Sequence, residues 1–488
     1  MRTLEHDWLR RILWGCTFDD FLISPLWGVA EHRGGISLAS KFSEHITLNR
    51  PLVSANMDTI TESRMAVAFA KEGGLGIIHR YITIEGQCLE VAKVKREENF
   101  VVENPYHISP TASVKEARRL MDKNRVGCLV VINDSRELLG ILGSRDVRFS
   151  DSLQIVEKRM RPTKELVFAS PNISLSQAKE LIDKHRIQRL PLVDGHDGHF
   201  FLKGLITSKD IENLEKYPLA NKDTNGQLVV GAAIGAMGDY LERAAELIKA
   251  KVDVIVLDIA NAQSVVGERA VREFKKRFSN FELVVGNIVL PEAVKKFQDL
   301  GAHGLKVGLG PGSACTTRRN TNIGIPQLQA IYECSVAAKI PVCSDGGVKR
   351  NGHFATALIF GGSSVMIGGM LAGTEETPGK IQPSSSNRKV KKFRGMASRE
   401  AMHERLMAEE TDDPYLVSSR ISPEGLEKEV EVQGSATAVI ENIVGHLAST
   451  VSYMGATSLQ EAKQMFMERP SYFLIKLSES AKRESWDR

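Results

Sequence analysis

LVVGAAIGA (228–236), DVIVLDIAN (253–261), FELVVGNIV (281–289), GLKVGLGPG (304–312), IPVCSDGGV (340–348) and SSVMIGGML (363–371) are short β-branched runs with glycine-rich ends. Helical stretches such as DYLERAAELIKAKV and PEAVKKFQDLG separate them. Repeating strand–helix units predict a parallel sheet with both faces covered, and so many in series favour a closed barrel over an open sheet. PLVSANMD (51–58) and GGLGIIHR (73–80) supply the first two strands. The fold class is therefore α/β, a (β/α)8 TIM barrel.

Between the second and third of these strands lies an internal repeat. SPTASVKEARRLMDKNRVGCLVVINDSRELLGILGSRDVRF (109–149) aligns with SPNISLSQAKELIDKHRIQRLPLVDGHDGHFFLKGLITSKDIEN (170–213). Each copy reads as an amphipathic helix, two short apolar strands and a polar turn ending in aspartate. The arrangement resembles a tandem CBS (Bateman) module inserted into the barrel. The expected division is 1–95 for the first part of the catalytic barrel, 96–213 for the regulatory module and 214–488 for the rest of the barrel with an active-site flap. By that resemblance Asp146, Thr207 and Asp210 contact a regulatory nucleotide such as ATP or GTP, with the aspartates on its ribose. Gly143 stands where the first copy lacks the counterpart of Thr207.

Composition excludes several function classes. The chain has 488 residues, 42 % hydrophobic and 25 % charged, which suits a soluble protein with a large core. No apolar run reaches the roughly 18 residues needed to cross a bilayer, and the start MRTLEHDWLRRILWGC has no secretory pattern. A net charge of +4 with interspersed signs gives no basic stripe, so neither nucleic acid nor membrane is an expected partner. Six scattered cysteines without a CxxC pair disfavour disulfides and zinc, which points to the reducing cytoplasm.

Barrel enzymes carry their chemistry where strands run into the following loops. Those positions hold Asn56, Asp58, His79, Arg80, Asp258, Asn261, Gly286, Asn287, Ser313 to Thr317, Asp345 to Gly347, Gly368 and Gly369. The sharpest signal is GLKVGLGPGSACTTR (304–318). Backbone amides of a tight glycine loop suit a phosphate, and a cysteine flanked by hydroxyls beside them is placed for covalent attack.

GPGSACTTR resembles the signature of the IMP dehydrogenase/GMP reductase family. The resemblance continues in order through SANMDT (54–59), LDIAN (257–261), GN (286–287), SDGGV (344–348), IGGMLAGTEETPG (367–379) and FRGMAS (393–398). It implies that Cys315 is the nucleophile for purine C2. It further implies that Ser313, Gly347, Gly368 and Gly369 cradle the 5′-phosphate, that Asp345 grips the ribose, and that Gly395 and Met396 meet the base. Asp258, Asn261 and Arg80 would face the nicotinamide cofactor. A monovalent cation, K+, is a further expectation at Gly310, Gly312 and Cys315.

The family contains an IMP dehydrogenase using NAD and a GMP reductase using NADPH. Dehydrogenases of the family commonly carry an Arg-Tyr pair on a flap, and residues 397–425 contain none. ANMDT, PQL (326–328), IGGML and ASTVSYMGA (448–456) also look more like the reductase. Thr317 and Glu424 match, by position, a relay that protonates the leaving amine. The expectation is an NADPH-dependent GMP reductase with GMP and IMP as substrate and product, acting as a homotetramer or octamer. The rival readings are an IMP dehydrogenase and, in another class, a catalytically silent CBS scaffold that senses nucleotides. Arg80 departs from the reductase pattern, which has lysine there. His303 and His353 stand where the family usually has aspartate and are read as altered turns, not as ligands.

Overall fold

A computed structural model describes residues 2–97, 102, 104–124, 126–195, 198–408 and 422–486. The chain divides into two units, one of residues 1–97, 219–224 and 228–488, the other of residues 98–218 and 225–227.

The first unit is a closed barrel of eight parallel strands. They are β1 (Leu52–Ser54), β2 (Leu75–Ile78), β3 (Val230–Ile234), β4 (Val254–Asp258), β5 (Leu283–Ile288), β6 (Gly304–Val307), β7 (Val342–Asp345) and β8 (Ser364–Ile367). Each pairs with its neighbour in sequence, β8 pairs with β1, and β2 with β3 across the insertion. Eight helices follow the strands in turn: α1 (Ser63–Lys71), α2 (Ile84–Glu97), α3 (Tyr240–Lys249), α4 (Val265–Arg277), α5 (Pro291–Asp299), α6 (Gln327–Ala337), α7 (Asn351–Ile359) and α8 (Ala436–Tyr453).

Side-chain alternation explains why these runs are apolar on both sides. Val53, Ile77, Ala233, Val256, Val284, Cys343 and Val365 belong to one buried cluster. Their neighbours Ile78, Ala232, Ile234, Ile255, Leu257, Val285 and Leu305 belong to a second, together with Val91, Val94, Ala244, Leu247, Val271 and Phe274 of the helices. On α3 the buried positions Tyr240, Ala244 and Leu247 share one helical face. Pro291 opens α5 at a position where a missing N–H costs nothing.

The barrel is extended at both ends of its sequence. Helix Arg2–Leu13 buries Leu9 and Leu13 completely, and strand Phe21–Ile23 pairs antiparallel with Leu474–Lys476. After β8 comes a three-stranded sheet of Gln382–Pro383, Lys389–Arg394 and Glu427–Glu431. The chain leaves the barrel after α2 and returns before β3. There Lys95 Nζ donates to Asp223 at 3.0 Å and Asp253 at 2.6 Å, and Asn221 Nδ2 donates to the carbonyls of Gly73 and Gly74 at 2.7 and 2.8 Å.

The second unit repeats one helix–strand–strand–helix pattern. The first copy is Val114–Asn124, Cys128–Ile132, Leu138–Gly143 and Ser144–Val147; the second is Leu175–His185, Arg189–Asp194, Phe201–Thr207 and Ser208–Lys216. Both long helices begin in the same way. Ser113 and Glu116, then Ser174 and Gln177, exchange reciprocal side-chain to backbone hydrogen bonds at the helix start. Each copy has its own small core, and Val130, Ile132, Leu138, Ile141, Val193, Leu202 and Leu205 form a third one drawn from both.

Candidate active site

A cavity of about 1150 Å³ opens where the carboxyl ends of the barrel strands meet their loops. At its floor stands Lys306, 2 % exposed, whose Nζ reaches Asp258 Oδ1 at 2.7 Å and Asp345 Oδ2 at 2.6 Å and also donates to Asn287 Oδ1. Asn287 Nδ2 in turn donates to Asp345 Oδ2 at 2.9 Å. Gly286, on the neighbouring strand, makes this possible, because a Cβ there would lie 2.5 Å from Lys306 Cβ. Burial alone pushes the Lys306 ammonium down, yet the two carboxylates outweigh it and hold it above its ordinary value. Burial likewise pushes the Asp258 carboxyl up, but Lys306, Arg80 and Asn56 hold it below the usual range. Asp258 and Asp345, from two different strands, are thus tied to one lysine.

The cysteine loop is fixed by the segment around Glu424. Thr316 N–H donates to the Glu424 carbonyl at 2.8 Å, Leu426 N–H to that of Ala314 at 2.9 Å, and Glu424 N–H to that of Ala397 at 3.0 Å. This stitching brings the side chains into a row. Cys315 Sγ lies 3.2 Å from Thr317 Oγ1, and Thr317 Oγ1 donates to Glu424 Oε2 at 2.7 Å. Cys315 itself is half-buried on the cavity wall. A thiol, a hydroxyl and a carboxyl in line form a path along which a proton can move.

Ser313, Asp345, Gly347, Gly368, Gly369, Gly395, Met396, Asp258 and Arg80 all line the same cavity. A Cβ on Gly369 would stand 2.7 Å from Ser313 Oγ, so the absence of a side chain keeps that hydroxyl and the neighbouring amides accessible. Tyr81 Oη donates to the Met396 carbonyl at 3.3 Å. Behind Met396, Arg394 ties Asp58 to Glu404 of helix Arg399–Ala408, with Arg394 Nε to Asp58 Oδ2 at 2.9 Å. Burial lowers the Arg394 guanidinium, but Glu404 and Asp58 raise it further.

The remaining expected residues lie elsewhere. Thr317 and Glu424 are off the cavity wall and reach it through Cys315. Asn261 is exposed beyond the wall, its Oδ1 accepting the Gln263 N–H at 3.1 Å. Gly310 is also off the wall, and the Gly312 carbonyl accepts the Cys315 N–H at 3.0 Å. In the second unit Asp146 Oδ2 accepts the Gly143 N–H at 2.7 Å, closing the first turn of Ser144–Val147. Thr207 ends its strand, Asp210 lies in Ser208–Lys216, and the Asp210 side chain is outside the described residues. His353 is buried within α7, where it stacks on Phe18 at 5.0 Å and bonds Asp19 at 2.9 Å and Arg350 at 2.8 Å. Sequence reasoning missed Lys306 and Arg394. A lysine inside an apolar strand was the available signal for the first, since such a charge must find partners.

The cavity has room for a ligand pair, exceeding the roughly 300–1,000 Å³ typical of one drug-sized molecule. Arg80 Nε is buried without a hydrogen-bond partner at its rim, which fits a cofactor bearing acceptor groups. Among the described residues no helix is long and apolar enough to cross a membrane.

Comparison with known proteins finds relatives along most of the chain. An inosine-5′-monophosphate dehydrogenase of Nitrosopumilus maritimus is 42 % identical over 455 residues, covering 92 % of this chain and 94 % of that one. One from Aquifex aeolicus is 41 % identical over 463 residues, covering 93 % and 92 %. Among solved structures, a cysteine-to-alanine GMP reductase of Trypanosoma brucei in complex with guanosine 5′-monophosphate superposes with a TM-score of 0.88 at 36 % identity, covering 96 % of each chain. The GMP reductase of the same organism in complex with guanosine 5′-triphosphate gives 0.78 at 33 % identity, covering 95 % and 97 %. The IMP dehydrogenase / GMP reductase domain matches residues 15–487, so the chain, with its cysteine loop at the mouth of a parallel barrel, belongs to that oxidoreductase family.

Proposed function

We propose that the protein is a GMP reductase, converting GMP, NADPH and two protons to IMP, NADP+ and ammonium. The row Cys315–Thr317–Glu424, with steps of 3.2 and 2.7 Å, is the observation that carries this reading. Reductive deamination needs a proton delivered to a departing amine, and a carboxyl acting through a hydroxyl next to the nucleophile is suited to that. The sulfur–C2 bond forms as the C2–N bond breaks, and the amine takes a proton from Glu424 by way of Thr317. The reduced nicotinamide, when bound, supplies the hydride. That hydride enters C2 as the sulfur–C2 bond breaks.

Ser313, Gly347, Gly368 and Gly369 hold the 5′-phosphate in this scheme, Asp345 the ribose, Gly395 and Met396 the base. Asp258 and Arg80 face the cofactor. Rigid gripping at the phosphate spends remote binding energy on placing C2 against sulfur. K+ at the carbonyls of Gly310, Gly312 and Cys315, a homotetrameric or octameric assembly, and a cytoplasmic setting complete the reading. The second unit acts as a tandem CBS module binding ATP or GTP through Asp146, Thr207 and Asp210; Asp210→Ala then weakens their effect on activity, and unchanged titrations would remove that role.

A specific observation favours the other family activity: the relatives at 42 % and 41 % identity are named IMP dehydrogenases. Against it stands the absence of an Arg-Tyr pair from residues 397–425. The deciding assay follows NADPH absorbance and ammonia with GMP, then NADH formation with IMP and NAD. Consumption in the first and none in the second is expected; XMP made from IMP would replace the reductase with the dehydrogenase.

A further inference from the structure

At the opposite end of the barrel from the cavity, three metal-binding side chains converge. Glu282 immediately precedes β5, His303 immediately precedes β6, and His45 sits in the turn between strands Ser40–Lys41 and Thr47–Leu48. One donor atom from each lies within 4.8 Å of the other two. Glu282 Oε2 is the centre of the group, 2.8 Å from His45 Nδ1 and 3.9 Å from His303 Nδ1. The two imidazoles meet edge to face with centroids 5.7 Å apart.

The carboxylate is held ready. Its side chain is 9 % exposed, and its Oε1 accepts the His45 backbone N–H at 3.1 Å, which leaves Oε2 turned toward both rings. The other charges facing the group, Lys275 and Glu44, have opposite sign and offset one another.

We propose that His45, Glu282 and His303 form a binding site for a borderline divalent cation of the zinc class. Two imidazoles and one carboxylate match the three-protein-ligand set of such ions, with water completing the shell. The hard cations magnesium and calcium prefer all-oxygen sites and are disfavoured here. Bond lengths of about 2.0–2.2 Å set tetrahedral donors about 3.4 Å apart, so His303 must close on Glu282 Oε2 while His45 Nδ1 backs away from it. His45 can supply that motion, because its ring is 74 % exposed on a short turn. The ion displaces the proton between His45 and Glu282 and replaces the Leu283 N–H, now 3.1 Å away, as the partner of His303 Nδ1. Its consequence is mechanical: it clips the Ser40–Leu48 hairpin to the ends of β5 and β6.

Zinc chloride added to the full-length, metal-stripped protein tests this by equilibrium dialysis with elemental analysis. The Cys315→Ala chain serves as background, so that the site thiol does not compete. One zinc per chain is expected, and His45→Ala and Glu282→Gln should each weaken it at least tenfold. Zinc should raise the unfolding temperature of that background and not of its His45→Ala derivative; His45→Ala made in the chain that keeps Cys315 loses only an exposed ring and should match the unsubstituted chain in catalytic rate without zinc. Equal zinc affinity in parent and both variants, or no binding at micromolar zinc, overturns the proposal.

Discussion

The barrel mouth and the repeated unit solve different physical problems. At the mouth, polar groups are fixed by one another: Lys306 by Asp258 and Asp345, Arg394 by Asp58 and, behind Cys315, the Thr317 hydroxyl by Glu424. The repeated unit has three modest apolar cores, and its polar side chains start the long helices or bind loop carbonyls, as Arg118 does at Val147. Fixed polar geometry favours chemistry, whereas small cores open locally at lower cost. Changes in the row Cys315–Thr317–Glu424 should therefore alter turnover more than folding, and changes in the cores of the repeat the reverse.

The largest effect should come from Cys315→Ala, which removes the covalent route and should lower kcat by about 10⁴-fold or more while the unfolding midpoint stays put. Residual turnover within tenfold of the parent would break the contrast at its strongest point. Glu424→Gln keeps the bond to Thr317 but not the proton, and should lower kcat about 10²–10⁴-fold with KM little changed. Stopped-flow separation of ammonia release from hydride transfer locates the slowed step.

Lys306→Met tests whether the mouth's charges also hold the barrel. Leaving two buried carboxylates without their cation should cost about 3–5 kcal/mol in denaturant unfolding. In the parent, the lowered Asp258 carboxyl gives stability that is full above the ordinary aspartate range and lost as pH falls through its folded value. The variant should lose that acid limb. Leu192→Ala, at a fully buried position of the repeat, should cost about 2–5 kcal/mol in that unit while kcat holds. Gly369→Ser is the mildest: moving the Ser313 hydroxyl aside costs about 0.5–1.5 kcal/mol, or about twofold to tenfold in KM for the monophosphate.

The eight strands were legible because both faces of each are buried, which writes continuous apolar runs, and because glycine marks their ends. The repeat was legible because its two copies share the same helix periodicity, paired apolar runs and closing aspartate. The cysteine loop could be read locally. Lys306 could not, since its partners lie on β4 and β7 and only closure of the barrel joins them. Glu424 was reached through family resemblance alone; nothing local distinguishes it from a solvated glutamate. Asn261 shows the converse limit, because a strand-end amide can serve its own turn as easily as a ligand. His303 was taken as a turn residue, and its spatial neighbours His45 and Glu282 come from distant parts of the chain.

The clasp of Lys95 on Asp223 and Asp253, with Asn221 on the carbonyls of Gly73 and Gly74, closes the barrel wall on the barrel's own side of the insertion. The bonds that seal this seam all come from the barrel's own unit, so residues 98–218 read as a cassette in the sequence. Evolution could add, exchange or discard such a cassette without rebuilding the wall, and an engineer joining 97 to 219 through a short flexible spacer could do the same.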